Sequence, residues 1–131
     1  MKKIVIICTV LFSTGLWAHD LPMSPYLKMQ KALALDDFKM ASSIHKQICK
    51  KDLGHYEDQY KDCKKDPKDI KELRESFKSL SKLYIEHGKK DEMKGLITAE
   101  CPMAKAKWVQ EEGSIKNPYY GKSMLECGQK I

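Results

Sequence analysis

The chain has 131 residues, a formal net charge of +6 at pH 7 and five cysteines, a length that fits one small domain and leaves no room for a second large one. Its lysines are spread among Asp and Glu, a pattern of solvated helix faces that lacks the basic stripe nucleic-acid binding requires. A domain of this size folds on a modest core, so a covalent or metal staple adds usefully to its stability.

Lys2 and Lys3 open a positive segment, followed by an apolar run from Ile4 to Phe12 broken by Thr9. Gly15, Leu16, Trp17 and Ala18 then lead to the polar pair His19-Asp20. A basic start, a short apolar core and a small residue before a polar stretch read as a secretory signal over residues 1–18, cut after Ala18. The apolar core is shorter than the roughly 20 residues a bilayer-spanning helix needs. The expectation is therefore a periplasmic domain over residues 19–131, without a membrane anchor. Loss of Lys2 and Lys3 takes the +6 to +4, since residues 1–18 hold no Asp or Glu. Four cysteines then remain, Cys49, Cys63, Cys101 and Cys127, and an even count in an oxidising compartment favours disulfides.

Pro22 and Pro25 bracket an extended start, and Ser24 is placed to cap a helix with Pro25 at its first position. Good helix formers continue to Leu35, where Asp36-Asp37 interrupts. Asp36 either caps a second helix or sits with Asp37 on the surface of one bent helix. Ala41, Ile44 and Ile48 keep helical spacing to about Lys50-Lys51. Residues 52–66 are polar and read as a loop with a helical turn near Tyr56 to Tyr60. Asp66-Pro67 signals the next helix start. Ile70, Leu73, Phe77, Leu80 and Tyr84 recur at steps of three and four, which marks one core-facing stripe. Gly88 is the C-cap signal. Beyond it, Leu96, Ile97 and Thr98 suggest a short extended segment, Pro102 argues against a helix through the following residues, Gly113 and Asn117-Pro118 mark turns, and Ser123 to Cys127 suits a short helix. The fold class read from these elements is all-α, a bundle of three or four helices with an irregular C-terminal third.

Soft metal ligands cluster in that last third. Cys101 and Met103 sit two apart, and Met124 and Cys127 three apart, on one face of a helix. Together they make a four-ligand sulfur set, and thiolate with thioether favours Cu(I) over hard cations. His45 and His87 are candidate additional imidazoles, although His45 reads more simply as a partly exposed helix residue and His87 near a helix end most simply complements the dipole. His19 would combine a terminal amine with its imidazole. The competing reading makes Cys101 and Cys127 a structural disulfide, with Met103 and Met124 as core packing. No CxxC, CxxCH, HExxH or Gly-rich phosphate loop is present, so no enzyme activity is expected.

Cys101-Pro102-Met103-Ala104, Trp108, Asn117-Pro118-Tyr119-Tyr120-Gly121 and Met124-Leu125-Glu126-Cys127-Gly128 together form the pattern CPMA…W…NPYxGxxMLxCG. This pattern resembles a family of bacterial periplasmic domains of formally unknown function, found alone or fused to adaptor subunits of copper/silver efflux pumps. Tyr26 to Ala41 with its Asp36-Asp37 pair, and the run of Arg74, Phe77, Leu80 and Ser81, resemble it too. The resemblance implies an α-helical fold and a copper-binding role, with Cu(I) or Ag(I) as cargo and an efflux adaptor or other periplasmic protein as partner. Cys49 and Cys63 depart from the family pattern. They bracket the polar loop, and a bond between them would contribute roughly 3 kcal/mol by restricting the unfolded chain. The functional expectation is a soft-metal buffer or carrier. The alternative is a metal-free, disulfide-stapled module that docks an envelope or efflux partner.

Overall fold

A computed structural model describes residues 20–131. Residues 1–18, expected from the sequence to be a secretory signal, and His19 lie outside the described residues. The described residues form three α-helices and a three-stranded antiparallel sheet. This α+β architecture corrects the all-α bundle expected from the sequence.

Helix α1 (Met23–Ala34) starts after Pro22, whose φ of −70° suits a helix start, and no side chain caps it. It buries Tyr26, Met29, Gln30 and Leu33 along one stripe. The chain then turns at Asp36, with φ of 59°, a left-handed conformation that Asp tolerates better than most residues. Asp37, not Asp36, caps helix α2 (Phe38–Gln47): its carboxylate accepts from Met40 N at 2.9 Å. α2 runs on into a π-helical turn, Ile48–Asp52. The polar loop beyond holds short 3-10 turns at Gly54–Tyr56 and Lys61–Lys64, and Cys49 is bonded to Cys63 across it.

Helix α3 (Ile70–His87) starts three residues after Pro67. Asp69 supplies the cap by accepting from Glu72 N at 2.8 Å, and Glu72 reaches back to Lys68 N at 2.9 Å, a reciprocal arrangement related to the capping box. Leu73, Phe77, Leu80 and Tyr84 are fully buried, while Ile70 packs at the edge of the core. Gly88 ends the helix with φ of −64°, so left-handed freedom is not its purpose. A Cβ there would lie 2.5 Å from Tyr84 O and 2.6 Å from Met23 Cε.

The sheet occupies the C-terminal third. Strands β1 (Leu96–Cys101) and β2 (Ala106–Glu111) form a hairpin with Ala99 opposite Trp108 and Cys101 opposite Ala106. Strand β3 (Gln129–Lys130) joins the other edge of β1 through Ala99 and Glu100. The hairpin escapes sequence reading because its turn, Pro102 to Lys105, carries none of the Gly or Asn that announce such turns. Lys105 itself takes the left-handed position, with φ of 49°. β2 also lacks alternation: Trp108, Val109 and Gln110 are all buried, because α1 and α3 pack against it.

Two tyrosines close the outer edge of β2. Tyr26 Oη accepts from Val109 N at 3.0 Å and shares a 2.7 Å hydrogen bond with Ser81 Oγ. Tyr119 Oη donates to Lys107 O at 2.5 Å. An edge strand left bare would present unpaired backbone groups to other chains. The same rings form a continuous aromatic path: Tyr84 and Phe77 stack on Tyr26, Phe77 meets Tyr119, and Tyr119 meets Trp108 edge-on.

Arg74 ties the helices to the C-terminal loop. Its guanidinium donates to Pro118 O at 2.8 Å, Leu33 O at 3.0 Å and the Asp36 carboxylate at 2.6 Å. The other Asp36 oxygen accepts from Lys122 N at 3.1 Å. Arg74, followed by the backbone N–H of Lys122, holds the Asp36 carboxyl below its usual range against the opposing effect of burial. Gly121 lies directly on this pair with φ of 58°, and a Cβ there would collide with Asp36 Oδ1 and Arg74 Nη2. Arg74→Ala removes the guanidinium from the Pro118 carbonyl and the Asp36 carboxylate, and leaves the Leu33 carbonyl with only the Asp36 N–H at 3.2 Å. It is expected to destabilise the protein by about 3 kcal/mol, read as a lower urea midpoint at unchanged slope.

His45 is buried, not partly exposed as helix position alone suggests, because Tyr60 folds over it. Tyr60 Oη donates to Ser76 O at 3.0 Å, so at its 2.8 Å contact with His45 it accepts from Nε2–H. Burial lowers the His45 pKa, Asp62 opposes this and Lys46 adds to it. The unfolded chain therefore binds this proton at higher pH than the folded one. Stability is complete above the unfolded histidine pKa of about 6.5 and falls as pH drops below it. The lowered Asp36 pKa acts in a separate window, below about pH 4. Urea midpoints taken between pH 7 and 5 should fall for the native chain and flatten in His45→Gln.

Candidate functional site

Strand pairing brings two sulfurs together. Cys101 ends β1, and the β1–β3 register sets Glu100 against Gln129, which returns the preceding Cys127 to the same end of the sheet. The thiols are free, with Sγ atoms 3.9 Å apart. Cys101 is fully buried and also accepts from Ala104 N at 3.4 Å, within its own hairpin turn. Cys127 is partly exposed.

Asn117 fixes Cys127. Its side-chain amide donates to Cys127 O at 2.5 Å, and its backbone N–H donates to Leu125 O at 2.7 Å. Its side-chain oxygen accepts from Tyr119 N at 2.8 Å and Tyr120 N at 3.2 Å. Asn117 is fully buried, so these bonds form away from competing water. The sequence marks Asn117-Pro118 only as a turn. Its service to a cysteine ten residues away depends on the path of the loop and has no local signature. Gly128, next to Cys127, adopts φ of 149°, and a Cβ there would lie 2.8 Å from the Trp108 ring and 2.9 Å from Glu100 O.

The other candidates divide. Met103 lies on the hairpin turn beside Cys101 and is 62% exposed. Met124 ends a 3-10 turn, Gly121–Met124, and its carbonyl accepts from Cys127 N at 3.1 Å. That turn replaces the short helix expected over Ser123 to Cys127. His45 belongs to the buried Tyr60 network, with the Cys49 sulfur 3.8 Å from its Nε2. His87 stacks on Tyr56. Among the described residues no group of three or more His, Cys, Asp and Glu side chains is arranged to hold a metal ion. A soft ion here would depend on the two thiols and the thioethers alone.

Trp108 is fully buried in the core against Tyr119. Partial burial, followed by the neighbouring Cys101 thiol, pushes the Cys127 thiol above its usual pKa. Cys127 is thus held protonated at neutral pH, and both oxidation and metal binding at this sulfur must first remove its proton.

The chain matches no protein-family model, no curated protein and no solved structure.

Iodoacetamide should label Cys127 before Cys101, because only Cys127 is partly exposed. Its rate should rise with pH to a midpoint above the roughly 8.5 of a free cysteine, as followed by peptide mass mapping.

Proposed function

We propose that this protein binds a soft monovalent ion, Cu(I) or Ag(I), between Cys101 and Cys127, and buffers it or passes it to an efflux partner. The observation that carries this reading is the 3.9 Å separation of two unbonded thiols. Metal–thiolate bonds of about 2.3 Å, the zinc value, would let one ion bridge both sulfurs at an angle of about 115°. That angle is close to trigonal and leaves one position for a thioether. Met103 on the exposed turn and Met124 beside Cys127 are the available donors, and a thiolate–thioether set selects Cu(I) over hard cations.

The donors differ in how they are held, and this suits transfer. Cys101 is fixed in the sheet and Cys127 by Asn117, whereas Met103 projects from a turn. A thioether that leaves opens a position for a partner's ligand while the thiolates retain the ion. The resemblance of the CPMA…NPYxGxxMLxCG pattern to periplasmic domains associated with copper/silver efflux supports the same cargo and, with the signal-like residues 1–18, the same compartment. Because the bound thiols give up protons, apparent affinity rises with pH.

The test is a free-thiol count with an anaerobic Cu(I) competition titration on the purified chain. Two free thiols and one tightly held ion are expected. Cys101→Ser should weaken binding by at least about tenfold, and Met124→Leu by less, since a thioether contributes less than a thiolate. No free thiols, and no copper uptake after mild reduction, would replace this reading with a metal-free module stapled by a Cys101–Cys127 bond.

A further inference from the structure

Beside the thiol pair, α3 and the β1–β2 hairpin enclose a groove of about 600 Å³. Ile85, Pro102 and Ala106 give it apolar lining, and Cys101 contributes to its wall. Lysines stand around it: Lys78 and Lys82 one helical turn apart on α3, Lys105 on the hairpin turn and Lys107 on β2. The acids in the groove are Glu86 and Glu100. Glu86 faces His87 at 3.9 Å, and Glu100 accepts from Gln129 Nε2 at 2.8 Å. Lys78 pairs with Glu75 at 3.6 Å. Lys82, Lys105 and Lys107 have no ion pair among the described residues. Glu100 stands opposite Lys107 in the β1–β2 register and Glu86 follows Lys82 by one helical turn, so four lysines outnumber two acids and leave a net positive, concave, partly apolar surface next to the buried sulfur.

We infer that this groove docks an acidic polypeptide segment of a partner protein, seating that partner over Cys101. The charge sign selects the segment, the apolar lining accepts side chains between its carboxylates, and the concave shape fits an extended chain better than a flat lipid surface. Interfacial charge of this kind chiefly raises the rate and selectivity of encounter. That is what an ion carrier needs if it must find its partner and leave again. The identification of the partner as one that exchanges metal rests on the function proposed above; the docking itself does not.

The experiment uses the reduced, metal-free chain and a fluorescein-labelled peptide of alternating Asp and Met, with a Lys-for-Asp peptide as its counterpart, read by anisotropy. The acidic peptide should bind, more weakly as salt rises. A Lys82→Gln, Lys105→Gln, Lys107→Gln variant should lose at least about tenfold in affinity. A variant with Lys28→Gln, Lys39→Gln and Lys51→Gln, equal in charge but altered elsewhere on the surface, should bind as the native chain does. Because all six lysines are exposed or line the surface, folding should survive in both variants, as circular dichroism would verify. Equal losses in the two variants, equal binding of the Lys peptide, or binding to vesicles of anionic phospholipid without binding of the acidic peptide would each overturn the proposal. Peptide binding without Cu(I) uptake supports the groove and counts against the metal site alone; Cu(I) uptake without peptide binding does the reverse.

Discussion

Arg74 is the point where the two halves of the molecule meet. One guanidinium on α3 satisfies a carbonyl at the end of α1, a carbonyl in the C-terminal loop and the carboxylate of Asp36. Each of these groups lies where regular secondary structure stops supplying partners, and a partly buried polar group without one is costly. A planar fork with several donors can serve all three at once, which an ammonium on a flexible stem cannot do. The left-handed turn at Asp36, the glycine at position 121 and the interruption between α1 and α2 all follow from bringing these groups into reach. The loop that carries Asn117, and through it Cys127, is held in place by this pairing.

The helical half was legible because its signals are local. The stripe from Ile70 to Tyr84 and the change of character at Asp36-Asp37 need only nearby residues for their interpretation. The cysteines that bracket a polar loop, Cys49 and Cys63, likewise suggest their own bond. The sheet was not legible, for three separate reasons. Its turn uses a lysine in the left-handed region, its second strand is covered by helices and so does not alternate, and β3 is two residues long. Only the extended character of Leu96 to Thr98 pointed toward it. His45 was misjudged because its burial is supplied by Tyr60, fifteen residues later and outside any helix.

At the site, residue types were visible and their arrangement was not. Cys101, Met103, Met124 and Cys127 stand out as sulfur in a small chain, but spacing within each pair says nothing about the distance between pairs. That distance is set by β1–β3 register, a feature of tertiary pairing. The glycines and Asn117 of the C-terminal pattern prove to be structural: they let Trp108, Glu100, Arg74 and Asp36 approach closely and hold a cysteine from behind. Much of a motif that looks functional thus consists of the framework that positions two thiols.

The two sulfurs belong to separately anchored bodies. Cys101 is part of the hairpin, which packs under α1 and α3, while Cys127 belongs to the loop clamped by Asn117. The route from Cys127 back to β1 runs through Gly128 and a strand that pairs with β1 at two positions, with one further bond from Ile131 N to Thr98 O at 3.0 Å. Regions with few backbone bonds open at far less than the cost of global unfolding. The sulfur gap can therefore breathe while both anchors stay folded. Amide exchange at Gln129 and Lys130 should then report on the aperture of the site separately from the stability of the domain that carries it.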